Sequence, residues 1–354
     1  MITEKGFDEK FMLSLFKKEA TYDAGVAMAA NSCSMPSFEL EVDEDDKVED
    51  NRDTVTGTEQ ATEQELIEKA FKASYKEPRV KPNSLIGIAA LVLGNHVTTQ
   101  DGVLTAYKHK ITPLAVGSEL PSIAGVHKKG GVQTAYKGIK GSSIKLSGEQ
   151  GGLLAMEAEL MGSGSRDRTN VEAFTAKVVE SWMKISNCSV FLESGADISV
   201  AATLTQGAQN ISGTAPENIG SRMRNFEVGY NNNPEGQPGF GGAGVLQDID
   251  KVRAAIELKF QMLFKDKTEM DYFNDQTDLA IEFDLKGGIV ADTGTMYYGA
   301  QIIIPKFRLK KNPKQSGGPN DTLVADYECT VLDDGTNAPI IIEGYNAVPA
   351  YLAA

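Results

Sequence analysis

Apolar and polar residues alternate over two long segments that share one internal order. Residues 141–164, GSSIKLSGEQGGLLAMEAELMGSG, read as an alternating strand, a Gly-rich turn and a second alternating strand that stops at Gly-Ser-Gly. Residues 301–334, QIIIPKFRLKKNPKQSGGPNDTLVADYECTVLDD, follow the same order. In the closing strands Leu154, Met156, Ala158 and Leu160 share a face, as do Leu323, Ala325, Tyr327 and Cys329. The opposite faces carry Glu157 and Glu159 in one segment, and Asp326 and Glu328 in the other. A side-chain period of two produces this sorting. Its recurrence at long spacing predicts one building block used twice.

Other elements fit around these. Phe11, Leu15 and Phe16 suggest a short amphipathic helical turn in an N-terminal arm that orders on assembly. Residues 37–42 read as a strand, and 60–76 as a helix passing into a strand. Residues 82–94, PNSLIGIAALVLG, give the best helix: Pro82 and Asn83 start it and Gly94 stops it. Its stripe of Leu85, Ile88, Ala89, Val92 and Leu93 should pack on a sheet. Strands are predicted at 103–111, 144–147 and 153–160. The second half repeats this order with strands at 255–264, 279–285, 300–309 and 322–332. A short helix over 268–274 stands where 82–94 stood. In the 279–285 strand Leu279, Ile281, Phe283 and Leu285 oppose Ala280, Glu282 and Asp284. The joint lies near 163–169, within GSGSRDRT at 162–169, and the Gly-, Asn- and Pro-rich stretch 208–244 reads as a long surface loop. The expectation is a mainly β fold of two repeated β-sandwich or half-barrel domains, 1–165 and 166–354, each with a short helix.

Composition narrows the function. A chain of 354 residues can bury a sizeable core, and 7% aromatic content suits many modest strands better than an aromatic pocket. The formal net charge of −14 argues against a sequence-specific nucleic-acid reader, which needs a basic footprint. Cys33, Cys188 and Cys329 are far apart and odd in number, which argues against a disulfide framework. The N-terminus MITEKGFDEKF has no apolar core of a signal peptide, and no run of 18 apolar residues predicts a membrane helix.

Candidate chemistry is thin. GFGGAG at 239–244 satisfies GxGxxG, but Asn231, Asn232, Asn233 and Pro234 precede it where a buried strand would be needed. His96, His109 and His127 have no His or Cys at ligand spacing and read as surface or loop residues. Ser142 and Ser143 lie in no GxSxG turn. Glu157 and Glu159 share one strand face, whereas a glycosidase pair must oppose across a cleft. No catalytic, cofactor-binding or metal-binding residue is therefore assigned. Charge runs remain. Residues 39–53 hold nine acids, among them Glu39, Glu41, Asp43, Glu44, Asp45 and Asp46. Residues 107–140 hold Lys108, Lys110, Lys128, Lys129, Lys137 and Lys140. The second run could be a nucleic-acid groove, but it reads better as the complement of the first in a neighbouring copy.

Residues 137–164 (KGIKGSSIKLSGEQGGLLAMEAELMGSG) resemble the tail tube, or major tail, proteins of long-tailed bacteriophages. Residues 17–25 (KKEATYDAG) resemble that family's N-terminal opening, where Gly is common in place of Asp23. The layout of 37–59 and of the second half also fits; the stretch 208–244 departs from a minimal tube domain. The resemblance implies a structural, non-enzymatic virion protein without cofactors. It implies β domains joined in rings, the rings stacked into a tube through which DNA passes without sequence-specific binding. Single-domain members form six-membered rings, so a duplicated chain implies a trimer with pseudo-sixfold symmetry, with a hexamer as the other option. Tape-measure, tail-tip and tail-terminator proteins are the implied partners, with assembly in the host cytoplasm. On this reading Glu157, Glu159, Glu282, Asp284, Asp326 and Glu328 line the lumen. A different structural or adhesive β subunit is the alternative.

Overall fold

The fold is described from a computed structural model. It defines residues 9–36, 38–44, 46–51, 63–101, 105–115, 117–169, 171–238, 244–290, 296–317 and 322–353. The first half contributes β1 (Lys10–Leu13), β2 (Glu39–Asp43), β3 (Phe71–Glu77), helix α1 (Pro82–Leu93), β4 (Gly94–Gln100), β5 (Tyr107–Pro113), β6 (Ile123–Lys129), β7 (Val132–Glu149) and β8 (Ala155–Gly162). The second contributes β9 (Ser189–Ser194), β10 (Met223–Asn231), β11 (Ala255–Leu263), helix α2 (Thr268–Asn274), β12 (Leu279–Ile289), β13 (Tyr297–Leu309), β14 (Lys314–Ser316), β15 (Val324–Val331) and β16 (Ile341–Asn346).

One antiparallel sheet runs through both halves. Its strand order is β2-β3-β8-β7-β10-β11-β15-β13, with β14 continuing the β13 position beside β15. Among the described residues the pairing branches but never returns on itself, so the sheet is open. Strands β7 and β13 are long because each serves two layers. The first part of β7 pairs with β6, and β6 with β1, before β7 turns into the main sheet. The turn falls at a register shift between Tyr136 and Ile139, where Gly138 takes φ 61; glycine adopts that left-handed conformation at no steric cost. Likewise β13 first pairs with β12 and β16, then with β15. Its register shifts between Ile304 and Phe307, around Pro305, and a proline removes a ladder donor there. Strands β4 and β5 extend the second-half layer through β5–β16 pairing. The halves thus share backbone ladders at β7–β10 and β5–β16, and the whole is a layered, mainly β molecule.

Alternation fills the space between layers. Phe71, Ala73 and Tyr75 of β3, Met156, Ala158 and Leu160 of β8, Leu258, Phe260 and Met262 of β11, and Ala325, Tyr327 and Cys329 of β15 all enter one core. Helix α1 is the centre of that core, and all of its residues are buried. A helix that is apolar all round belongs in an interior, and the predicted stripe is only part of what it buries. At Gly141 a Cβ would fall 2.6 Å from a Val92 methyl and 2.8 Å from its Cα, so only glycine lets β7 pass this close to the helix. The helix supplies no side-chain N-cap of its own. Glu180, from the segment joining the halves, accepts the Asn83 N–H at 2.6 Å, and Glu77 accepts the Lys81 N–H at 3.2 Å. Orphan donors of the first turn are satisfied in this way by carboxylates brought from outside.

Three local expectations change. The N-terminal arm is strand β1, with Phe11 and Leu13 buried against β6, because its alternation rather than a helical stripe is what the sheet edge uses. Residues 60–76 hold no helix among those described; Glu63–Glu68 and Phe71–Glu77 are strands. The 208–244 stretch contains β10, whose Phe226, Val228 and Tyr230 point into the core and which joins the two halves. The glycine-rich 239–243 part of the GxGxxG motif lies outside the described residues. Cys33, Cys188 and Cys329 are free thiols.

Candidate assembly surface

The outer face of the main sheet is polar, and its charge changes sign between most neighbouring strands; β11 carries both signs, with Glu257 3.2 Å from Lys259. Strand β2 presents Glu39, Glu41 and Asp43, opposite Lys76, Ser74 and Lys72 of β3. Next come Glu157 and Glu159 of β8, then Lys145 of β7, then Glu227 of β10, then Lys259 of β11, then Asp326 and Glu328 of β15. Lys314 of β14 stands beyond, opposite Asp326. Opposite charges therefore meet across neighbouring strands: Lys76–Glu157 at 3.6 Å, Lys145–Glu227 at 2.9 Å, Lys259–Glu227 at 3.6 Å and Lys311–Glu328 at 2.8 Å. Burial works against the Glu227 carboxylate, but hydrogen bonds and charge from Lys145 and Lys259 outweigh it and hold its pKa below the usual value. The Lys311 hydrogen bond does the same for Glu328. Gln261 donates to Asp326 at 2.7 Å and Ser143 to Glu159 at 3.2 Å. Such cross-strand pairs are individually weak, but they are spread over the full width of the sheet.

Both ends of this sheet are open among the described residues. Strand β2 has β3 on one side and no strand on the other. At the far end the segment 308–316 pairs with β15 through Arg308↔Thr330 and Ser316↔Val324. Its other side is likewise without a strand partner. The first edge is acidic and exposed at Glu39, Glu41 and Asp43; the second is exposed and carries Lys310, Lys311 and Lys314. A soluble protein normally shields such edges; here two of opposite charge stay exposed on one molecule.

Four of the six carboxylates expected in a lumen, Glu157, Glu159, Asp326 and Glu328, lie on the polar face. Glu282 and Asp284 do not. They alternate as expected on β12, but residues 205–211 cover that side, and both are fully buried. Glu282 accepts the N–H groups of Asn210 at 2.7 Å and Ile211 at 3.2 Å, and the Asn210 amide at 2.6 Å. Asp284 accepts the Gly207 N–H at 2.9 Å and pairs with Lys286 at 3.3 Å. Burial raises both pKa values. They hold a loop rather than face a channel; alternation alone cannot tell a solvated strand face from one covered by a distant loop.

The charge runs also divide. Glu39, Glu41 and Asp43 form the open edge, whereas Glu44 and Asp46 are taken within the chain. Arg168 donates to Glu44 at 2.6 Å, Arg166 pairs with Glu44 at 2.8 Å and with Asp46, and the Tyr136 hydroxyl donates to Glu44 at 3.2 Å. Their partners are the arginines of the predicted joint rather than the lysine run. Asp45 lies outside the described residues. Lys108 and Lys110 sit on β5, opposite Tyr345 and Glu343, while Lys128 and Lys129 sit on β6, where Lys129 approaches Glu9 at 3.6 Å. The lysine run is thus split between two layers. Lys140 is buried against Asp248 at 2.5 Å and over the Tyr22 ring.

His109 is not a surface residue. It is fully buried on β5, and its ring stacks on His96 of the paired strand β4, with Nδ1 3.1 Å from His96 Nε2. Burial, and secondarily the neighbouring His96, lowers the His109 pKa to about 4. The pair was missed because cross-strand register, not sequence spacing, brings it together. Among the described residues no group of three or more His, Cys, Asp or Glu is placed to hold a metal ion. No described helix is long and apolar enough to cross a membrane. When compared with known families, residues 15–331 match the model described as phage tail tube protein. No curated protein matches the chain.

Proposed function

The chain belongs to the phage tail tube protein family, and from that premise we propose that its copies join edge to edge into rings that stack as the channel for DNA ejection. It is a structural protein of the virion tail, of a family whose members assemble into a tube. The ring reading is supported by the open sheet, whose two edges, bare among the described residues, are oppositely charged. Closing such edges on neighbouring copies removes them. A head-to-tail contact closes a ring, and a second one between rings extends it.

The ring we propose holds three chains. The strand order β2-β3-β8-β7 of the first half matches β10-β11-β15-β13 of the second, so each chain supplies two alike sets of four and the ring has pseudo-sixfold symmetry. The polar face lines the lumen, with Glu157, Glu159, Asp326 and Glu328 keeping phosphates from lodging on the wall through counterion-releasing contacts. Tape-measure, tail-tip and tail-terminator proteins then meet the ends of the tube, which assembles in the host cytoplasm. Electron microscopy of the assembled protein tests this: hollow tubes of stacked rings are expected, and dispersed single particles under assembly conditions would overturn it. Substituting the four lumen carboxylates by Lys should leave tubes intact and slow ejection of DNA from phage that carry them. Unchanged ejection would remove these residues from the lumen.

A further inference from the structure

We infer that the 308–316 edge of one copy pairs with β2 of the next in the register that β7 and β10 already use inside the chain. This rests on the ring reading above and specifies which strands meet and how they align.

The ladders of the two halves match. On β8, Met161 faces Lys140 and Ala155 faces Ser147. On β15, Thr330 faces Arg308 and Val324 faces Ser316. The buried positions of β8 and β15 agree in phase, Met156, Ala158 and Leu160 standing for Ala325, Tyr327 and Cys329. Aligned so, segment 308–316 occupies the place of 140–147, with Lys314 facing Asp326 as Lys145 faces Glu157. The free side of 140–147 is closed by β10, through Lys145↔Gly229 and Ser147↔Glu227. The free side of 308–316 has no such strand among the described residues.

The missing strand is matched at the other end of the molecule. Strand β10 reaches its neighbour through Asn225↔Gln261 and Glu227↔Lys259; β2 does so through Glu39↔Lys76 and Glu41↔Ser74. With β3 and β11 in phase at their buried residues, Glu41 takes the place of Glu227 and Asp43 that of Gly229. Carrying the internal register across two copies places Ser316 opposite Glu41 and Lys314 opposite Asp43. Lys314 then reaches Glu41 as Lys145 reaches Glu227 at 2.9 Å. Charge agrees independently of register, because an acidic strand beside the basic segment continues the alternation of the whole face.

The test uses the full chain carrying Glu41→Cys and Ser316→Cys together. Directly opposed antiparallel residues lie within disulfide reach. Assembled and oxidised, this chain should run without reductant as covalent dimers and a terminal trimer, while either single variant stays monomeric. Tubes seen by microscopy without cross-linking, or cross-linking only when Glu39→Cys replaces Glu41→Cys, would overturn the register while leaving the tube. Wild-type protein that forms neither rings nor tubes would overturn both. If the double-cysteine chain does not assemble, the charge exchange decides: Lys314→Glu should reduce tube yield severalfold, and adding Glu41→Lys should restore most of it. A double variant no better than the single one would overturn the pairing.

Discussion

The two halves carry the same frame and different fillings. In each, four strands follow one order, and the third of them, β8 or β15, presents two acids outward and an apolar row inward. The first half fills its interior with the twelve-residue helix α1, buried on every side. The second has only α2, seven residues long, and fills the space with strand side chains, among them Phe260 stacked on Tyr327 at 4.8 Å and Phe226 at 4.4 Å from Phe283; the first half has ring pairs as well, with Phe71 4.3 Å from Tyr136. Buried Glu269 of α2 accepts the Tyr327 hydroxyl and Arg222, both at 2.5 Å. The difference teaches that strand order and outward charge recur where the interior does not; in the ring proposed above they are the features that have to match at every joint. The interior has only to be filled at close-packed density, by whatever does so.

The largest expected effect breaks the symmetry of the fillings. Leu85→Ala, in the fully buried α1, should cost about 2–5 kcal/mol in chemical denaturation. Tyr272→Ala in the partly exposed α2 should cost less than half as much. Equal losses would show that the two helices bear equal weight.

Next is the pH response of the first helix. Burial, only partly offset by hydrogen bonds, raises the pKa of both Glu77 and Glu180 to about 7. A carboxyl that binds its proton more tightly when folded adds stability at low pH and loses it as pH rises from about 4.5 through about 7. Wild-type protein should therefore match Glu180→Gln near pH 4.5 and fall below it by about 3 kcal/mol above pH 7. A constant difference across that range would contradict the burial of an ionisable group there.

Smaller effects separate covered from open acids. Glu282→Ala strands the donors of Asn210 and Ile211 and should cost about 1–3 kcal/mol, with faster amide exchange over residues 205–211. Glu157→Ala on the open face should stay within about 0.5 kcal/mol. Similarly small, removing Lys145 from its pair with Glu227 should cost about 0.2–1 kcal/mol and less at high salt.

Much of the frame was legible in the sequence because a period of two survives wherever a strand has one dry and one wet face. The alternation in 255–263 and 324–331, the bounds of α1 and the position of α2 all follow from local signals. What was not legible depends on contacts between distant segments. Strand β10 was hidden by glycine and asparagine around it, although Phe226, Val228 and Tyr230 alternate. Glu282 and Asp284 looked solvated because nothing local announces that residues 205–211 lie over them. Arg166 and Arg168 claimed Glu44 and Asp46 across more than a hundred residues of chain. Of the candidate surface, the acids of β8 and β15 could be found from phase alone. The two free edges could not, since an edge is defined by the strands that are missing beside it.

The most direct measurement is a cryo-electron microscopy reconstruction of the assembled tube at a resolution that separates strands. The account predicts three chains per ring, eight strands from each in one continuous wall, and β2 hydrogen-bonded to the 308–316 segment of the neighbouring chain. Six chains per ring, or a wall in which β2 and 308–316 both remain unpaired, would contradict it.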